Sequence, residues 1–165
     1  MNFGNLLFSP SGRIDKKAFW IGFAILLVVS IVVGLLGSAL GALGGLIGLL
    51  LNILVIYMSV CVYAKRLHDF GRSGWLYGAI ILLTIILALV LMWPAIAAIM
   101  EVAASDPELA QDQAAMEEMM ASEVGFGRML LMYLPTILFT LWVGFKAGDP
   151  GDNRYGPPPN AGYIA

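Results

Sequence analysis

AFWIGFAILLVVSIVVGLLGSALGALGGLIGLLLNILVIYMSVCVYA, residues 18–64, contains no Asp, Glu, Lys or Arg. A helix crosses the hydrocarbon core of a membrane, about 30 Å thick, with about 20 apolar residues. At about 1.5 Å per residue this run is far too long for a single crossing. We therefore expect it to fold back once, at the glycines near positions 37–45, because Gly tolerates turn geometries that other residues resist.

Two more uncharged runs follow at 73–100 and 129–145, in a chain that is 60% hydrophobic and 12% charged. Apolar segments of this length form helices, since a bilayer offers no water to satisfy open peptide groups. The pattern predicts an all-α, polytopic integral membrane protein, a four-transmembrane-helix bundle forming one domain over 1–165. The predicted spans are 18–40, 44–64, 74–100 and 126–145.

Charge is distributed unevenly between the segments that flank these spans. The segment before span one, the loop between spans two and three, and the tail 146–165 lie on one side and carry eight bases and four acids, a net +4. The third loop, 101–128, carries seven acids and one base, a net −6. Short loops rich in Lys and Arg mark the cytoplasmic side. We predict that both termini are cytoplasmic and that the acidic segment 101–125 is external.

The external segment SDPELAQDQAAMEEMMASEVG, residues 105–125, has the marks of a helix. Ser105 and Glu108 have the spacing of a capping box, Pro107 suits the first turn, and Gly125 can end the helix. Apolar residues recur at helical intervals. We predict an amphipathic helix lying across the outer surface. Met116, Met119 and Met120 could bind Cu(I) through their thioethers, but methionines at such spacing more often serve as adaptable packing, and we expect no metal site.

The stretch AKRLHDFGRSGW, residues 64–75, holds the only histidine of the chain. His68-Asp69 resembles the pair of metal phosphohydrolases, but that chemistry needs several histidines, so we expect neither catalysis nor a cofactor. The bases Lys65, Arg66 and His68 at the end of span two favour a helix C-terminus, where unpaired carbonyls attract positive charge. Gly71 can supply the turn, and Ser73 can cap span three. Asn52, the carboxamide inside span two, is expected to face another helix.

Three segments together resemble one family: SGRIDKKAFW (11–20), AKRLHDFGRSGW (64–75) and GDPGDNRYGP (148–157). They are similar to the signatures of the domain-of-unknown-function 805 family, the YhaH-like small bacterial inner-membrane proteins. The resemblance covers nearly the whole chain, and the middle segment is its most specific part. It implies a bacterial cytoplasmic membrane and no established enzymatic activity. The long acidic insertion before span four departs from the family pattern.

All three segments fall on the predicted cytoplasmic side, which suggests one composite site. Its positive character suits anionic lipid headgroups or an acidic protein partner. The tail is expected to dock there, with its aspartates facing the bases of the 64–75 loop. A transporter or channel component, a purely structural bundle, and a homo-oligomer remain alternatives, and nucleic acid is not an expected partner. The predicted site residues are Arg13, Arg66, His68, Asp69, Arg72, Ser73, Trp75, Asn153, Arg154 and Tyr155.

Overall fold

The computed structural model describes residues 2–159, and for residues 41, 42 and 113 only the backbone. Within this range every regular element is helical, and no strand is present. The all-α prediction is confirmed. Four of the helices are long and apolar enough to cross a membrane, as predicted. The elements are α1 (Phe3–Phe8), α2 (Lys16–Ala39), α3 (Gly41–Asp69), α4 (Trp75–Ser105), a 3-10 turn (Leu109–Gln111) and α5 (Gln113–Phe145).

The long helices overlap the predicted spans, but three are longer: α3 ends at Asp69 instead of 64, α4 ends at Ser105 instead of 100, and α5 begins at Gln113 instead of 126. The Asp15 carboxylate caps α2 by accepting a hydrogen bond of 2.7 Å from the Ala18 amide. Helix α3 continues past the apolar run to Asp69. The basic residues Lys65, Arg66 and His68 therefore lie on its last turns. The loop motif is therefore partly helical. Residues 160–165 of the predicted tail lie outside the described residues.

The acidic segment folds differently from its prediction. Ser105 ends α4 instead of capping a new helix, and its hydroxyl donates to the Glu101 carbonyl at 2.8 Å. The reason is Pro107, because the residue before a proline is disfavoured in helical geometry. The next long helix begins only at Gln113, where the Asp112 carboxylate accepts from two backbone amides. The predicted start at Ser105 is thus wrong, whereas Gly125, at φ +49°, does interrupt the helical backbone.

The glycines near the first hairpin allow α2 and α3 to approach closely. A Cβ added at Gly44 would overlap the carbonyl oxygen of Gly37, and one at Gly48 would lie 3.8 Å from the Gly37 Cα. Small residues at such positions let helix backbones pack together. The prediction for Asn52 is wrong: its exposed amide donates to the Gly48 carbonyl of its own helix at 2.8 Å, so it needs no partner helix.

The chain divides into two compact units, Met1–Gly78 with Leu141–Ala165, and Ala79–Thr140. The first unit has a core of fully buried side chains, and an edge-on contact of 5.1 Å joins the rings of Phe19 and Tyr63 there. In the second unit the hydroxyls of Thr84 and Thr136 join α4 to α5 at 2.8 Å. All ten predicted site residues belong to the first unit.

Candidate functional site: a junction of three charged segments

The C-terminus of α3 positions the site through a Schellman motif. The Arg72 amide donates to the Leu67 carbonyl at 2.9 Å, and the Gly71 amide donates to the His68 carbonyl at 3.1 Å. This 6→1 and 5→2 pattern needs a left-handed residue directly after the cap, and Gly71 supplies it at φ +69°. The predicted role of Gly71 is confirmed. The turn directs the Asp69 side chain inwards and leaves its carbonyl open to other segments.

Asp69 lies between two arginines from different parts of the chain. The Arg13 guanidinium contacts one carboxylate oxygen at 3.1 Å, and Arg66, one helical turn before Asp69, contacts the other. The arginine side chains are 1% exposed and the aspartate 5%. A carboxylate shared by two guanidinium groups compensates charges that would otherwise be costly to bury. This three-residue ion cluster is the centre of the site.

Arg13 also holds the C-terminal tail. Its Nη1 donates to the carbonyls of Gly151 at 2.9 Å and Gly156 at 3.0 Å. Its Nη2 donates to the carbonyls of Asp149 at 2.7 Å and Asp69 at 3.1 Å. A guanidinium carries five N–H donors in a rigid fork, and here all of its nitrogens bond internal acceptors. Arg13 therefore joins the N-terminal segment, the end of α3 and the tail.

Arg66 makes the corresponding connection to the end of α5. Its Nε donates to the Val143 carbonyl at 3.1 Å, and its Nη2 donates to the Lys146 carbonyl. Nη1 also approaches the Ile14 carbonyl, at 3.4 Å. Arg66 thus binds the last carbonyls of one helix while it stands on the last turn of another. Charge-assisted bonds of this kind are about twice as strong as neutral ones.

The tail docks mainly through backbone groups. The Asp149 amide donates to the Asp69 carbonyl at 2.7 Å, and the Asn153 amide side chain donates to the His68 carbonyl at 3.0 Å. Asn153 also bonds the Asp149 carboxylate at 2.8 Å. A Cβ at Gly148 would overlap the Asp69 carboxylate, so only glycine fits this approach. Docking of the tail is observed, but the expected pairing of its aspartates with the loop bases is not.

A half-buried ring stack covers the outer side of the junction. The rings of His68 and Tyr155 are parallel, with centroids 3.8 Å apart, and the Arg154 guanidinium lies 4.8 Å from the Tyr155 ring centre. Arg154 donates to the Gly71 carbonyl at 3.2 Å, and His68 Nδ1 bonds the Gly12 carbonyl at 3.1 Å. The stack therefore links the loop, the tail and the N-terminal segment, as the ion cluster does beneath it. We call residues 12–15, 64–75 and 146–156 together the motif junction.

Three predicted residues stand at the surface of the junction. The Ser73 hydroxyl accepts a long hydrogen bond of 3.4 Å from the Trp75 amide, consistent with its predicted capping of span three. The Trp75 ring is 86% exposed, and Arg72 is exposed as well. In the part of the chain that the structure describes, neither side chain forms a hydrogen bond, so the fold itself does not account for them.

Most of the polar and charged side chains at the centre of the motif junction already bond to other groups of the protein. Both oxygens of Asp69 accept from arginines, and His68 is held by a carbonyl and by a ring. Among the described residues no group of three or more His, Cys, Asp or Glu side chains could hold a metal ion. Contacts between the three segments link seven of the predicted residues, namely Arg13, Arg66, His68, Asp69, Asn153, Arg154 and Tyr155, and Arg72, Ser73 and Trp75 adjoin them along the chain. The buried ones stabilise the fold and the exposed ones form its surface.

Two features of this region were absent from the sequence predictions. The first is α1, a short helix in the segment before span one, for which no helix was predicted. The second is Lys65, 1% exposed, which donates to the Asn5 carbonyl and, at 2.8 Å, to the Leu6 carbonyl of that helix. The uncharged stretch after Asn2, whose side chain accepts from the Asn5 amide at 3.2 Å, was the available signal for α1.

Comparison with known proteins agrees with the resemblance of the three segments. The family model described as "Protein of unknown function (DUF805)" matches residues 7–157. No curated protein matches the chain, and no solved structure does. Because the matched region covers nearly the whole chain, including all three segments, this protein belongs to the DUF805 family.

Proposed function

We propose that this DUF805 member is a multi-pass protein of the bacterial cytoplasmic membrane, with both termini in the cytoplasm. In this proposal it is a non-enzymatic membrane module that binds anionic lipid headgroups at the surface of the motif junction. The acidic segment 101–125 is then external. The proposal has three parts, namely insertion, orientation and lipid binding, and each has its own support.

Insertion is supported by the exposed side chains of the long helices. Large aliphatic residues face outwards along most of their length, among them Leu35 at 65%, Leu46 at 62% and Val90 at 65% exposure. Soluble proteins rarely expose contiguous apolar patches beyond a few hundred Å². A hydrocarbon environment removes this cost, since it solvates such side chains as well as a protein core does. This outward apolar surface is the observation that carries the proposal of a membrane protein.

Lipid binding is supported by the way the junction divides its charges. Arg13 and Arg66 are buried and bonded to internal acceptors, so they cannot serve as headgroup ligands. Lys65 is buried as well, whereas the remaining bases in and beside the three segments are exposed. Their exposed acidic neighbour is Asp152. We call this exposed set the basic rim, and it consists of Lys16, Lys17, Arg72, Lys146 and Arg154.

The chemistry of the basic rim suits a phosphate-bearing membrane surface. Each Lys or Arg near an anionic leaflet contributes about 1 kcal/mol to attraction. The exposed Trp75 ring stands at the first residue of α4, the level at which an indole can lie among headgroups. Arg154 lies against the turn that carries Arg72, since it bonds the Gly71 carbonyl. These two arginines are therefore the pair that we assign to headgroup phosphates.

Lipid binding can be tested on purified protein by native mass spectrometry with phosphatidylglycerol and phosphatidylcholine. We expect the double variant Arg72→Gln, Arg154→Gln to bind phosphatidylglycerol about 30-fold more weakly, which corresponds to about 2 kcal/mol. Arg128→Gln is the control, because Arg128 is a partly exposed arginine of the other unit. Equal retention of phosphatidylglycerol by the double variant and the control would refute the assignment.

Orientation can be tested separately with reporter fusions at Gly74 and Glu117. The positive-inside distribution of charge predicts a cytoplasmic reporter signal at the first site and an external signal at the second. An external signal at Gly74 would overturn the orientation, and with it the contact of the basic rim with the inner leaflet. Insertion itself would be unaffected by that outcome.

A further inference from the structure

The first helix lies beside the C-terminal half of α3. The Tyr57 hydroxyl donates to the Phe8 carbonyl at 3.0 Å, and the Lys65 ammonium donates to the carbonyls of Asn5 and Leu6. The segment then returns, so that the Ile14 amide donates to the Lys65 carbonyl at 3.4 Å. From Tyr57 to Lys65 α3 rises about 12 Å. Residues 3–14 thus run along α3 and back over this distance.

Side chains of α3 satisfy the open end of this short helix. The last four carbonyls of any helix lack an intrahelical partner. In α1 the Leu6 and Phe8 carbonyls accept from Lys65 and Tyr57, and the Asn5 carbonyl, which accepts from the Ser9 amide at 3.3 Å, also accepts from Lys65. In water the solvent could do this, but in a bilayer each open carbonyl must be satisfied by protein. These hydrogen bonds to the carbonyls of α1 are typical of a helix in an environment with little water.

The outer surface of α1 is uncharged and carries two exposed phenylalanines. Residues 1–12 contain no charged side chain, and Leu6 is buried against the rest of the unit. Phe3 is 53% and Phe8 50% exposed, and the uncharged Asn5 is exposed as well. Tyr57 beside them is 47% exposed and belongs to the outward apolar surface of α3. The exposed face of α1 is therefore continuous with the surface that we propose to face lipid.

We infer that α1 is an interfacial helix whose Phe3 and Phe8 side chains insert into the lipid acyl chains of the leaflet that contacts the motif junction. The occupant of this face is the bilayer itself, and the inference rests on the proposed membrane insertion. Lys65 acts as the anchor, because its buried ammonium holds the C-terminal carbonyls of α1 against α3. The N-terminal segment thus adds a membrane-immersed element to the four long helices.

Fluorescence quenching by brominated lipids tests the depth of α1. The full chain carrying Cys61→Ala receives one cysteine in place of Phe3, Phe8, Lys16 or Leu27. Each variant is labelled at that cysteine with an environment-sensitive fluorophore. It is then reconstituted into vesicles of phosphatidylcholine and phosphatidylglycerol that are brominated on their acyl chains. Leu27, exposed in the middle of α2, is the reference for a lipid-facing position, and Lys16, exposed at its start, is the reference for a hydrated one.

We expect the labels at positions 3 and 8 to emit at short wavelength and to be quenched nearly as strongly as the label at position 27. Labels at 3 and 8 that match position 16, while position 27 is quenched, would overturn the inference and leave membrane insertion intact. Absence of quenching at position 27 would overturn both proposals. Slow hydrogen exchange of amides 3–8 in vesicles is expected in the unsubstituted chain, and rapid exchange there would contradict the inference independently of labelling.

Discussion

Replacing Asp69 by Asn removes the charge from the centre of the motif junction while keeping the shape of the side chain. The carboxylate is 5% exposed and serves two guanidinium groups, each 1% exposed. Removing one partner of a buried ion pair costs about 3–5 kcal/mol, because the remaining charge is left buried and uncompensated. Arg13 and Arg66 keep their bonds to backbone carbonyls, which moderates the loss. We therefore expect destabilisation of about 3 kcal/mol.

The assay is thermal unfolding of the purified protein in detergent or lipid nanodiscs. For a chain of this size about 3 kcal/mol corresponds to a Tm lower by roughly 6–12 °C. Because Asp69 also orients Arg13 on the tail, limited trypsin digestion after Arg154 should be faster in the variant. Asp152→Asn is the matched control: this aspartate is exposed in the same tail, and its substitution should change stability by less than about 0.5 kcal/mol.

The reasoning is refuted if Asp69→Asn has the Tm and the cleavage rate of Asp152→Asn. That result would mean that the ion cluster contributes little beyond the backbone bonds around it. A lower Tm with unchanged cleavage after Arg154 would instead assign the cluster to α3 and α5 alone, and would contradict its role in holding the tail.

Further substitutions probe the close contacts of the first unit. Gly148→Ala should cost about 1–3 kcal/mol, since its Cβ overlaps the buried carboxylate, whereas Gly151→Ala, with open space around it, should be neutral in the same Tm assay. Gly44→Ala should lower the Tm by separating α2 from α3, while Gly45→Ala should raise it slightly through helix propensity; equal effects would contradict the close approach. Lys65→Met should release α1, seen as faster hydrogen exchange of amides 3–8, and unchanged exchange would count against the anchoring role.

The sequence alone determined the helical architecture because the signals involved are local. Uncharged runs of sufficient length predict long apolar helices without knowledge of their neighbours. The glycine hairpin and the turn at Gly71 were likewise readable from residues that lie close together in the chain. A local error, the helix start at Ser105, came from giving the capping pattern more weight than the break imposed by Pro107. Asp112, seven residues later, is the observed cap.

Only the tertiary structure decided which charges are buried and which are free. Arg13 and Arg72 look equivalent as bases beside an apolar span, yet one is bonded to groups up to 143 residues away and the other is exposed. A pairing over that separation leaves no periodic trace in the sequence, because it depends on how three segments converge at the end of α3. The same convergence placed Lys65 under α1. The sequence could name the residues of the junction, but only the partners of each guanidinium in the structure separate the arginines that hold the fold from those that stay exposed.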